Sequence, residues 1–332
     1  MLHTTFARST GLVVGIIVIF ACMCASLVYG YTNTTWMDAY QSFVATNDSN
    51  IHIIIQQVRL PRAIVAALVG ICLGVSGAIL QSITRNPLSS PGILGVNAGA
   101  SFFVVVGVVF FSVQSLQSFM MLSFVGAFIA FAFVYLLSSF GREGLTPLKL
   151  TLAGAAISAL FSSFTQGMLV LNETALDQVL FWLAGSVANR PIEMVLIVLP
   201  YVIVALILVF IRAKELNVLS IGDDVATGLG QKTGWIKFFF GLFAVVLAAA
   251  SVAVAGPIGF VGIIIPHLVR SLVGIDHRWV LPYSAIGGAI LLLLADIIGR
   301  YVLMPQELPV GVMTALIGVP FFIYVARRKL GV

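Results

Sequence analysis

One carboxylate sits where a carboxylate is expensive. Asp296, in Leu294-Ala295-Asp296-Ile297-Ile298-Gly299-Arg300, lies inside an otherwise apolar run. An acid within a membrane-spanning helix can relay protons or couple an ion gradient. Arg300 stands four residues on, one helical turn away, so an ion pair on one helix face is the structural alternative; a part in docking a partner is a third. No evident partner base accompanies Asp296 within a span, which argues against acid–base catalysis there. His3, His52, His267 and His277 are scattered, no Cys/His cluster has metal-ligand spacing, and no cofactor is implied. His267, next to Pro266, reads as a helix-end hydrogen-bonding group. The nearest lookalike of a phosphate loop, Ala226 to Thr233, lacks both glycines at the required positions. Cys22, Cys24 and Cys72 fall in apolar runs and read as small buried hydrophobes.

A second informative group is apolar and lies in a loop. In Glu215 to Gly230, Ser220 followed by Asp223 predicts a capped helix start, and Gly228 and Gly230 supply the stop. Val218, Leu219, Ile221, Val225, Ala226 and Leu229 then leave an apolar surface outside any span. Such a patch marks a partner; a helix folded back on its own protein or on lipid is the alternative.

These residues are positioned by a chain that is 60% hydrophobic and 9% charged over 332 residues, with mean hydropathy +1.12. Soluble domains carry roughly 25% charged residues. Continuous apolar runs exclude a β-barrel, whose strands alternate over ~10 residues. The class is all-α, a polytopic membrane protein forming one domain over 1–332. About ten spans are expected, near 11–31, 58–82, 93–112, 118–139, 148–171, 191–211, 235–255, 259–273, 279–299 and 309–326. The first reads as a retained helix, too long for a signal-peptide core. Within the second, Gly70, Gly74 and Gly77 share roughly one face, the pattern of close helix packing.

Basic residues orient the spans. With the N-terminus in the cytoplasm, 13 of 17 Lys and Arg fall inside, among them Arg85, Arg142, Arg212, Lys237, Arg270 and Arg278. Only Arg59, Arg62, Arg190 and Arg300 fall outside, as the positive-inside rule requires. The outer side carries Asp38, Asp48, Glu173, Asp177, Glu193 and Glu307. Residues 32–57 read as a large polar loop, and Asn172 to Arg190 as a short helix ending at Gly185. The net charge of +5 faces lipid and cytosol, so nucleic acid is not called for.

Five blocks in order resemble the FecCD family of permeases, the membrane subunits of bacterial importers for iron–siderophore complexes, haem and vitamin B12. They are Arg59 to Ala100; the loop positions Leu216, Leu219, Gly222, Ala226, Leu229 and Gly230; Gly256 to Gly262 with Pro266 to Arg270 and Asp276 to Arg278; Leu294 to Arg300; and Glu307 to Gly311 with Gly318 to Phe322. The resemblance implies a type II ABC importer permease fold. It implies two short coupling helices, here Leu216 to Gly230 with Val225 on the docking face, seated in a groove of an ATPase subunit. It further implies that Arg59, Arg62 and Arg300 pair with acids on an extracytoplasmic substrate-binding protein. An inner gate would form at Asn86, Pro87 and Leu88, with Thr146 near it. The implied partners are a second permease subunit and two ATPase subunits. The expected role is ATP-driven import of an iron(III)–siderophore complex across the bacterial cytoplasmic membrane, with both termini inside and no catalysis by this chain. A proton-coupled secondary carrier built on Asp296 is the alternative.

Overall fold

The computed structural model describes residues 4–30, 32, 34–44, 49–141 and 145–329. His3, Asp48 and Arg142 lie outside them. The helices are α1 (Thr5–Val28), α2 (Trp36–Val44), α3 (Asn50–Ile53), α4 (Leu60–Ile83), α5 (Val96–Phe111), α6 (Leu116–Ser139), α7 (Pro147–Leu171) and α8 (Glu173–Leu183). They continue as α9 (Ile192–Ile211), α10 (Ala213–Ile221), α11 (Asp223–Gly228), α12 (Thr233–Ala255), α13 (Val261–Val273), α14 (His277–Val302) and α15 (Val310–Lys329). Among the described residues, seven stretches can cross a membrane by length and composition: α1, α3 with α4, α6, α7, α9, α12 and α14. The remaining three expected spans coincide with shorter apolar helices, α5, α13 and the first part of α15. The chain is a multi-pass membrane protein.

Side-chain size decides which helices sit at the centre. In their most apolar windows α4 is 78% buried and α12 72%, against 11% for α1. Small residues let α4 approach its neighbours closely, whereas α1 presents Val13, Ile16, Ile17 and Phe20 outward. A Cβ at Gly70 would stand 2.2 Å from the Gly288 carbonyl oxygen, and one at Gly288 would stand 2.0 Å from that of Gly70. Backbone meets backbone there, so no side chain can give way. Gly70→Val should force α4 and α14 apart and cost about 1–3 kcal/mol or more, read as a lower melting temperature of the purified protein. Gly167→Ala on α7, where a Cβ meets nothing within 4 Å, is the control that should be neutral.

The segment expected as an outer polar loop over 32–57 is largely helical. Thr35 and Asp38 cap α2 reciprocally: the Thr35 N–H donates to Asp38 Oδ2 at 2.8 Å and the Asp38 N–H to Thr35 Oγ1 at 3.2 Å. A π-helical turn, Ile54–Arg59, then joins α3 to α4. The Thr-x-x-Asp spacing was the available signal. The short outer helix and its glycine stop appear as α8 and Gly185, at φ +71°.

Candidate functional site

Three segments gather around one carboxylate, Asp223. The coupling segment folds as α10 and α11, broken at Gly222 with φ +156° and ψ 151°, a region essentially reserved for glycine. The helix start expected at Ser220 lies elsewhere: Ser220 is in the last turn of α10, where its hydroxyl donates to the Asn217 carbonyl at 2.8 Å, and Asp223 opens α11. Asp223 makes ion pairs with Arg85 at 2.8 Å and Lys237 at 2.9 Å; the first lacks the angle of a hydrogen bond. Arg85 directly precedes the Asn86-Pro87-Leu88 turn, in which Asn86 Oδ1 accepts from the Leu88 N–H at 3.0 Å. Lys237 also donates to the Leu145 carbonyl at 3.0 Å, beside Thr146, which caps α7. The positions expected for coupling and gating are thus brought together.

Asn217 fastens the same segment to the core. Its Nδ2 donates to Asp276 Oδ1 at 2.7 Å, and its Oδ1 accepts the His277 backbone N–H at 2.8 Å. The His277 ring in turn reaches the Ser82 hydroxyl near the end of α4. Burial alone would raise the Asp276 pKa, but hydrogen bonds from Arg278 and Asn217 outweigh it and bring it to about 2. Asn217, Lys237 and His277 had no local sequence signal, because their partners lie many residues away or across helices.

The apolar residues of the segment divide by direction. Leu216, Leu219 and Ala226 are buried against the chain, whereas Ile221, Val225 and Leu229 are 67%, 48% and 66% exposed. Gly230 ends the segment at φ +82°. The exposed trio is the surface open to a partner.

The three expected docking arginines lie around the start of α4 and near the end of α14. Arg59, Arg62 and Arg300 are buried, each committed within the chain. Arg59 donates to the Leu27 and Val28 carbonyls at 2.7 and 2.8 Å, and Arg300 to those of Ser26 and Tyr29 at 2.8 and 2.7 Å. The physical reason is the end of α1, whose last carbonyls lack helical partners and which has no basic residue of its own in that turn. Asp296 accounts for the rest: it pairs with Arg300 at 2.5 Å and Arg62 at 2.8 Å, and Arg62 also reaches Glu307 at 2.6 Å. Arg62 and Glu307 line an outer cavity of about 390 Å³, together with Phe181, Trp182, Asn189 and Arg190.

Residues 17–328 match the model of the FecCD transport family. The chain is 56% identical over 313 residues to a Bacillus subtilis protein named "Probable siderophore transport system permease protein YfiZ", covering 94% of each. It is 41% identical to the ferric enterobactin transport system permease protein FepD of Escherichia coli, over 92% of this chain and 91% of that one. Among solved structures it superposes with TM-score 0.83 and 31% identity on a metal-chelate type ABC transporter in an inward-facing conformation, covering 96% of this chain and 99% of the other. A family match over residues 17–328, beside relatives matched over more than nine tenths of both chains, leaves one conclusion: this chain belongs to the FecCD transport family.

Proposed function

We propose that this chain is the membrane-spanning permease subunit of an ATP-driven importer that carries an iron(III)–siderophore complex into a bacterial cell. The observation that carries the mechanism is the exposed trio Ile221, Val225 and Leu229 on two short helices whose Asp223 grips both the Arg85 turn and Lys237. Movement of an ATPase subunit seated on that trio is passed through Asp223 to the turn at Asn86, Pro87 and Leu88 and to the Leu145–Thr146 loop. No bond is broken in this chain. The energy enters as the differential affinity of the ATPases for two conformations of the coupling helices. A second permease subunit encloses the pathway, two ATPase subunits sit below, and a substrate-binding lipoprotein delivers cargo above. The chain lies in the cytoplasmic membrane with both termini inside, in keeping with its 13 inner and 4 outer basic residues. Arg59, Arg62 and Arg300 belong to the docking side, where Arg62 lines the outer cavity beside Glu307. The cargo class is supported by relatives named for siderophore, ferric citrate and ferric enterobactin transport. A hemin transport permease of Yersinia pestis, 38% identical, makes haem the next choice.

The test is uptake of labelled iron complexes by proteoliposomes holding the full complex of permease and ATPase subunits with its binding protein supplied, across a panel of siderophores, ferric citrate and haem. ATP-dependent uptake of a siderophore complex is expected; uptake that follows an imposed pH gradient without ATP would overturn the reading. Asp223→Asn gives a finer check. Removing the carboxylate that faces the buried Lys237 amine should leave ATP hydrolysis in place and lower uptake about tenfold. Equal ATPase and uptake rates in this variant and the parent would show that Asp223 does not transmit the motion.

A further inference from the structure

The outer cavity holds a charge that no described carboxylate answers. Arg190, in the turn between α8 and α9, is only 7% exposed. Its Nε donates to the Ser186 carbonyl at 3.0 Å, and among the described residues no carboxylate lies within ion-pair distance. Burial brings its pKa down to about 10. A cation taken out of water without an anion is a site waiting for one.

The surroundings define the anion. Arg62, Arg190 and Glu307 are the ionisable residues lining the cavity, and Glu307 is already paired with Arg62, so the lining carries one uncompensated positive charge. One monoanion neutralises it; a dianion would bring excess negative charge beside Glu307. Much of the wall is apolar and aromatic, with Phe119, Phe181 and Trp182, and the Trp182 indole N–H has no acceptor. The volume of about 390 Å³ suits a small ligand or a side chain with its neighbours. The turn is also held in place beforehand. The Ser186 N–H donates to the Ala255 carbonyl at 2.8 Å, the Gly311 N–H to that of Gly185 at 3.0 Å, and Asn189 takes φ +54°.

We propose that this cavity is a socket for a single carboxylate with an apolar or aromatic body, bound by the Arg190 guanidinium. Its place on the extracytoplasmic side rests on the import reading above. The carboxylate comes from one of two sources: a free carboxylate of the metal chelate, or an acidic side chain of the binding protein.

The test is calorimetric titration of benzoate, with benzamide as the neutral isostere, into the intact transporter in lipid nanodiscs. Benzoate should bind, and benzamide should bind about tenfold or more weakly by comparison. Arg190→Gln should weaken benzoate by a similar factor, and Arg190→Lys by less. Equal binding of the two probes, or unchanged benzoate affinity in Arg190→Gln, overturns the socket. Should Arg190→Gln fail to fold, the benzamide comparison and Arg190→Lys still decide it. Benzoate that releases the purified binding protein assigns the carboxylate to that partner. Benzoate that blocks chelate uptake while the binding protein stays bound assigns it to the cargo, and benzoate that does neither overturns the proposal. Probe binding is read without transport. A parent transporter that fails to bind benzoate yet keeps ATP-driven uptake therefore sinks the socket alone.

Discussion

Asp296→Asn should destabilise the folded protein by about 3–5 kcal/mol, because it leaves the buried Arg300 without a carboxylate and Arg62 with Glu307 alone. Asp296 is 2% exposed and holds Arg62 of α4 and Arg300 of its own helix, while Arg300 in turn caps the end of α1. The loss therefore reaches three helices. The measurements are thermal unfolding, yield from the membrane, and uptake per folded molecule in proteoliposomes. A low melting temperature with ATP-dependent uptake surviving in the folded fraction is the expected result. Normal stability with uptake abolished would instead make Asp296 a transporting group and revive the proton-coupled alternative.

Val225→Asp and Leu229→Asp should each strip the ATPase subunits from the purified complex while the permease still inserts in the membrane. Both side chains are exposed, so an acid costs little in the free permease. Buried unpaired in a docking groove, the same charge costs several kcal/mol. Alanine at either site should be milder, since it removes contact area without adding a charge. Leu216→Asp is the contrasting control. Leu216 is fully buried within this chain, so its failure should appear as misfolding and low yield even without the ATPase. Asp variants of Val225 and Leu229 that co-purify with a full complement of ATPase and transport normally would remove this segment from the interface.

Much of the architecture was legible before any coordinates. A helix in hydrocarbon satisfies its backbone internally, so hydropathy reports its existence and rough ends with little help from packing. The run near 191–211 and the helix Ile192–Ile211 illustrate this. The glycine face of α4 was equally readable, since only close backbone approach explains Gly70, Gly74 and Gly77 in an apolar helix. Asp296 with Arg300 was readable for the same reason: four residues on one helix is a local distance.

What tertiary structure alone decided are the partners of the charges. For Arg59, Arg62 and Arg300 the sequence suggests a side of the membrane but not the direction of the side chain. The ends of α1, Asp296 and Glu307 turn them inward, through contacts such as Arg62 to Asp296 that span 234 residues. The same holds for Asp223, whose sequence position suggests a helix cap and whose neighbours make it a junction between Arg85 and Lys237. Arg190 is the clearest case, a basic residue in an outer loop by sequence and a buried cation lining a cavity in the fold. Hydrophobic pattern sets where a helix runs, because burial is additive along the chain. Ion pairing depends on which atoms meet across helices, and only the folded chain determines that.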